Sequence, residues 1–273
     1  VNITAPGVYD ITEEKYHAHP ALSSTGARKL LPPSCPAIYR HEQDNAQPHK
    51  REFDFGRAAH MLVLGAGPQL HVVNAPNYQT KDARQERDEA YARGEVPLLP
   101  EEFDTAQAMA AALRRHPRAA ELFTADGIAE QSLFWIDTDT GVECRVRLDY
   151  LTDRIVDYKT TTCANPGHIA KTVANFGYHQ QADWYLTGAI ELDLIAPDAE
   201  FLFVFQSKTP PYLVKVVELD DTALKIGAER NQRARETFRD CTESGIWPGY
   251  GDNIEVISLP MYLQRRHNEW VLS

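Results

Sequence analysis

Cysteine is scarce in this 273-residue chain: Cys35, Cys144, Cys163 and Cys241 are the only four, and none forms a CxxC pair. That spacing excludes the clustered thiolates of an iron–sulfur centre. With no secretion signal beside it, it argues for reduced thiols over a disulfide framework. Long apolar runs are missing as well. No stretch approaches the roughly 20 residues that a membrane span needs. The opening "VNITAPGVYDITEEKYHAHP" lacks the basic start and apolar core of a signal peptide. A cytoplasmic protein without a membrane partner is therefore expected. Internal repeats and low-complexity tracts are absent from the sequence too. Positive charge is in short supply, with 28 Lys and Arg against 39 Asp and Glu and a formal net charge of −11. Nucleic-acid-binding proteins usually show a basic footprint, so this balance alone counts against such a partner. A whole-chain sum does not locate the charges, however, and carboxylates gathered round a metal would add to the imbalance.

What remains is ordinary for a soluble globular protein: 43% hydrophobic and 25% charged residues. The length suits one large domain or two small ones. "SSTGARKLL" reads as a short helix capped by Ser23 or Ser24 and halted at Pro32-Pro33. Residues 41–52 read as a polar loop, and "FDFGRAAHMLVLG" as a buried helix ended by Gly65. Residues 74–100, with Lys81, Arg84 and Arg87 among many acids, read as an exposed charged segment. "TAQAMAAALRRHPRAAELF" is an alanine-rich helix interrupted at Pro117. The period then changes. "AEQSLFWI", "VECRVRLDYL" and "DRIVDYKTT" are β-type runs separated by turn residues. A helix over about 178–192, strands at "AEFLFVFQ" and "YLVKVVEL", and a long polar helix over about 222–243 follow. The order implies a single α/β domain with a helical N-terminal part.

The chemistry concentrates in "RLDYLTDRIVDYKTTT", residues 147–162. Strand alternation puts Arg145, Arg147 and Asp149 on one face and Cys144, Val146 and Leu148 on the other. In the next run Asp157 and Lys159 share a face with Ile155. If the two strands pair as a hairpin, Asp149 and Asp157 converge with Lys159 beside them. Two carboxylates with room for water suit Mg²⁺ or Mn²⁺, whereas Zn²⁺ prefers nitrogen and sulfur. The bland alternative is a salt-bridged hairpin in which Lys159 only neutralises Asp157. Three further features have the residue types such a site needs. Glu130 opens the preceding strand. His60 lies on an apolar helix one turn after Gly56, where another backbone could approach. Tyr178, Gln181 and Tyr185 share one helical face by their spacing.

Taken in order, "GRAAH", "AEQSLFW", "CRVRLDY", "IVDYKTT" and "YHQQADWY" form a pattern that resembles the nuclease domain of RecE-type exonucleases (exonuclease VIII). These belong to the RecB-like branch of the PD-(D/E)xK superfamily. The resemblance runs from about Tyr16 to Tyr250. It implies a restriction-endonuclease-like core at 56–250, a central mixed sheet flanked by helices, with an N-terminal helical part at 1–55 and a tail at 251–273. It also implies roles. Asp149 and Asp157 would be acidic metal ligands, joined by the Tyr158 backbone carbonyl and a His60 nitrogen. Glu130 would hold a second metal, directly or through water. Lys159 would orient the attacking water, and Gln181 would position Lys159 or the scissile phosphate. Tyr185 would complete a Q-x-x-x-Y pattern in a supportive rather than chemical role, and is a candidate DNA contact. The chain departs from the superfamily name at Leu148, which stands for proline, and at Asp157, which stands for the commoner glutamate. Neither removes a ligand.

Arg145 and Arg147 are candidate DNA-phosphate contacts by forked hydrogen bonds, or are locked to acidic neighbours. Lys81, Arg84 and Arg87 are candidates for DNA or subunit contact, or for a solvated loop. The resemblance implies a Mg²⁺-dependent exodeoxyribonuclease, with Mn²⁺ able to substitute, that degrades one strand of linear double-stranded DNA 5′ to 3′. It implies a ring-shaped homo-oligomer, a tetramer, and a single-strand-annealing recombinase as partner. Three alternatives stay open from the residues: an endonuclease or flap-cutting enzyme of the same fold, a non-catalytic DNA-binding or scaffold protein, and a structural Ca²⁺ site.

Overall fold

The computed structural model describes residue 3 and residues 6–45, 50–124 and 126–271. In chain order the elements are β1 (Gly7–Tyr9), α1 (Glu13–Ala18), β2 (Leu22–Ser23), α2 (Ser24–Lys29), α3 (Pro36–Asp44) and α4 (Asp54–Leu64). Then come β3 (Leu70–Val72), α5 (Lys81–Ala92), β4 (Val96–Leu98), α6 (Pro100–Arg115), α7 (Pro117–Thr124), β5 (Ile128–Ile136), β6 (Glu143–Leu151) and β7 (Ile155–Thr161). The chain continues through α8 (Pro166–Phe176), α9 (Tyr178–Glu191), β8 (Phe201–Ser207), β9 (Val214–Glu218), α10 (Asp221–Ser244) and α11 (Met261–Val271).

One mixed sheet organises the molecule, in the order β1-β5-β6-β7-β8-β9, with β2 paired to β6 off this path. β5, β6 and β7 form an antiparallel meander, after which α8 and α9 cross over to β8, parallel to β7. Such a connection needs a dozen or more residues, which the two helices supply. β8 is buried along its whole length and reads as a near-continuous apolar run, whereas β7, buried except at Lys159 and Thr160, carries polar residues inside the sheet. Phe201, Phe203 and Phe205 point to the core shared with α9, while Leu202 and Val204 point to the core shared with α4 and α6. Burial of each such side chain contributes about 1.5–3 kcal/mol.

The helices stop where sequence chemistry stops them. Ser23 Oγ accepts the Gly26 N–H to start α2, and Gly65, at φ 70°, ends α4 in the left-handed region. Two readings need correction. The 41–52 loop is helical as far as Asp44 and has a 3₁₀ turn at Arg51–Phe53, while residues 46–49 lie outside the described residues. The 74–100 segment is not a bare charged loop. It folds as α5, which buries Ala83 and Ala90, and as β4, buried throughout and parallel to β3. Its polar composition hid a narrow buried stripe of small residues. β1, β2, α8 and α11 complete the described elements. Among the described residues no helix is long and apolar enough to cross a membrane.

Candidate metal centre and active site

β6 has two edges, and they are used differently. One is paired with β5 along the strand. The other holds β2 at Cys144 and Arg145, and β7 only at Tyr150 and Leu151. Between those contacts β6 and β7 part, and the Tyr158 N–H, without a ladder acceptor, donates instead to Asp149 Oδ2 at 2.9 Å. The β5–β6 register is interrupted at the same level. It passes from Gln131 opposite Leu148 to Ala129 opposite Tyr150, skipping Glu130 and Asp149. Glu130 has φ 57°, a left-handed backbone that a glutamate adopts only when its surroundings impose it. Here the strand also changes face. Leu148 belongs to one core and Tyr150 to the other, although simple alternation would place them together.

The opening lets side chains from both faces of the sheet meet. From α4, the His60 ring lies edge-on to Tyr158 at 5.1 Å, with Nδ1 3.6 Å from Asp149 Oδ2. From α9, Gln181 Nε2 donates to Asp157 Oδ1 at 2.6 Å. Lys159 Nζ stands 2.5 Å from Asp157 Oδ2 and 5.1 Å above the Tyr178 ring. α10 locks the first turn of α9 in place. Asn231 donates to the Gln180 carbonyl and to Asp183, each at 2.8 Å, and Gly227 lies directly against the His179 carbonyl.

Burial sets the electrostatics. It pushes the Asp149 and Asp157 carboxyls up to about 6, with Lys159 pulling in the other direction. The neighbouring charge of Asp149 adds to the rise at Asp157. Burial, then Lys159, lowers His60 below its ordinary value, leaving a neutral imidazole able to act as a ligand. For Lys159 itself burial acts downward, but Asp157 and Asp149 outweigh it and hold the ammonium charged.

A family profile for a PDDEXK-like domain of unknown function (DUF3799) matches residues 23–260. The chain belongs to this PDDEXK-like family. A crystal structure from Eubacterium rectale, described as a putative exonuclease, superposes on the PDDEXK-like chain with a TM-score of 0.61 at 13% identity. The match covers 92% of this chain and 97% of that one, and it supports the restriction-endonuclease-like fold. No curated protein matches the sequence.

PD-(D/E)xK nucleases generally use divalent metals, and the PDDEXK-like site has the donors for one. A neutral imidazole, the buried Asp157, the half-buried Asp149 and a third acid across the ladder form a hard, mostly oxygen set. Asp157 Oδ2 is buried without a hydrogen bond, having only the ionic contact of Lys159. Among the described residues, however, no three His, Cys, Asp or Glu side chains stand at metal-coordinating spacing. Two of the three acids are paired with cations, Asp157 with Lys159 and Glu130 with Arg147 Nε at 2.5 Å, while Asp149 accepts the Tyr158 N–H.

Other expectations about the PDDEXK-like site need amendment. Arg147 also donates to Ser132 Oγ and the Ile11 carbonyl, and Arg145 is 6% exposed with its guanidinium on the Tyr16 carbonyl and ring. Neither is free for a DNA phosphate; both fasten the N-terminal part to the sheet. Tyr185 keeps the place expected of it, half-buried, edge-on to Phe201 and lining the cleft. No backbone of the described chain packs against Gly56, since a Cβ there would meet nothing within 4 Å. Its face is open cleft. Arg57, three residues before His60 and lining that cleft, escaped notice although it stands inside "GRAAH".

Proposed function

We propose that the protein is a metal-dependent exodeoxyribonuclease acting on linear double-stranded DNA. The observation that carries this reading is the convergence of His60, Asp149, Asp157, Lys159 and Gln181 at the parting of β6 and β7, most of them lining a cleft of about 2740 Å³. A pocket for a small molecule is typically about 300–1,000 Å³, so this cleft is of a size for a polymer. Asp149, Asp157, His60 and the Tyr158 carbonyl would hold Mg²⁺, or Mn²⁺ in its place, with Glu130 near a second ion. Such an ion would supply charge stabilisation at the phosphoryl oxygens and would acidify the attacking water. Lys159 orients that water and offsets charge on the scissile phosphate, and Gln181 keeps Asp157 and hence Lys159 in place. In-line attack leaves a 5′-phosphate and a 3′-hydroxyl.

The RecE resemblance supports the finer points: 5′ to 3′ polarity, a ring of four subunits, and a single-strand-annealing recombinase that receives the exposed 3′ tail. Encirclement would retain DNA without a strongly basic surface, which fits a net charge of −11. Digestion of linear duplex in Mg²⁺, labelled at the 5′ or the 3′ end in turn, tests the proposal. Mononucleotide release from 5′ ends, with a covalently closed circle left intact, is expected. Cutting of the closed circle would make the enzyme an endonuclease, and no release in either metal would remove the nuclease reading.

A further inference from the structure

We propose that Arg57 grips a phosphate of the nucleic-acid backbone in this cleft, and that Glu13 occupies its place until DNA arrives. The inference rests on the nuclease reading and adds a residue to it. Arg57 and His60 are three apart on α4 and therefore share a face. Both line the cleft. Arg57 Nη2 donates to Glu13 Oε2 at 2.6 Å, so α1 and α4 are joined across the cleft wall. The other side of the guanidinium is not satisfied, because Nε is buried without a partner. Arg57 therefore carries an unpaired donor on the helix that also presents His60 to the cleft.

A carboxylate and a phosphate present similar paired oxygens to the guanidinium fork. Exchange of Glu13 for a backbone phosphate therefore never leaves Arg57 bare, and Nε gains an acceptor. The carboxylate is anionic at any working pH, since His17 and, against burial, Arg57 hold it at about 2. Other cations of the cleft wall are also masked: Lys29 by Glu42, Arg40 by Asp44 and Arg93 by Glu95. Those pairs are exposed surface bridges of the kind that contribute little. Arg57, at 28% exposed, is the more enclosed. Masking of this sort discourages casual polyanion binding and admits a backbone that reaches the slot.

The test uses the full chain in Mg²⁺, with a Lys159→Gln background to stop turnover while keeping the metal ligands. Fluorescence anisotropy with a labelled linear duplex gives Kd over a salt series. Arg57→Ala should weaken binding about tenfold and reduce the slope of log K against log salt by about one. Arg57→Lys should keep the slope but lose affinity, because the point charge lacks the fork. Glu13→Gln should tighten binding several-fold. If Arg57→Ala leaves affinity and slope unchanged, or Glu13→Gln weakens binding as Arg57→Ala does, the pair is only a strut and the proposal is overturned. Wild-type protein that cleaves end-labelled duplex, with Arg57 variants that bind normally, overturns this proposal alone. Wild-type protein that neither binds nor cleaves overturns the nuclease reading with it.

Discussion

Gln181 and Lys159 hold opposite oxygens of one carboxylate: the amide Nε2 lies 2.6 Å from Asp157 Oδ1, and the ammonium Nζ lies 2.5 Å from Oδ2. Asp157 is 0% exposed, so these two groups, from a helix and from its own strand, are what compensate its charge. Any cation that takes Asp157 as a ligand must share Oδ2 with Lys159 or turn the ammonium outward, toward the cleft where a phosphate would lie. Asp157 and the lysine thus act as one unit.

Removing the amine should stop chemistry and spare the fold. Lys159→Gln keeps a neutral donor for Asp157, so far-UV circular dichroism should be unchanged while turnover falls roughly a thousandfold. Gln181→Ala should lower kcat by about ten- to a hundredfold with KM little changed, if the amide acts through its hydrogen bond to Asp157. Steady-state nuclease assays separate the two.

The pH dependence of stability has a definite sign. Asp149 and Asp157 ionise near 3.8 when unperturbed but at about 6 in the folded protein, chiefly through burial. Between about pH 4 and 6 the folded state therefore binds more protons than the unfolded chain, and metal-free protein loses stability as pH rises. Above about pH 6 the loss is complete, and for one group it is on the order of 3 kcal/mol. Melting in EDTA from pH 4 to pH 8 should show Asp149→Asn gaining on wild type across that window and level above it. A difference that is flat throughout would contradict the burial argument.

Metal should reverse this effect. A divalent ion binds the deprotonated carboxylates, so its affinity falls as they protonate. Mg²⁺ or Mn²⁺ should raise Tm clearly at pH 8 and little at pH 5, by the equivalent of about 2.7 kcal/mol at a hundredfold excess over Kd. EDTA should undo the shift, and Asp157→Asn should remove it.

Helix packing behind the site offers a separate test. A Cβ at Gly227 would fall 2.2 Å from the His179 carbonyl oxygen. Gly227→Ala must push α10 away from the first turn of α9, costing about 1–3 kcal/mol, and should depress kcat by disturbing Gln181 two residues on. Gly249→Ala, where a Cβ meets nothing within 4 Å, should stay within about 0.5 kcal/mol. Chemical denaturation compares the two directly.

The residues that converge were legible because each sits on an element with a strong period. His60 and Gln181 lie on helices with clear apolar faces, and Asp149, Asp157 and Lys159 lie on strands bounded by turns. The fold class followed from the same order of elements. What escaped depends on distant partners. For Arg145 and Arg147 the choice between a phosphate contact and an internal lock turns on Glu130 and on the Tyr16 and Ile11 carbonyls of the N-terminal part. The left-handed backbone of Glu130 has no signal in composition, since it is imposed where two strands change face together. Residues 81–98 looked solvated because only a few small or apolar side chains in them are buried.

The two-residue strand β2 does more than its length suggests. It covers the backbone of β6 at Cys144 and Arg145, at the far end of the same edge where β7 has already departed. A truncation that removes residues 22–29 would leave that stretch of backbone as an adhesive border open to strand addition by another molecule. The N-terminal part is therefore no detachable appendage, and shortened versions that begin after it should clump before they can be assayed.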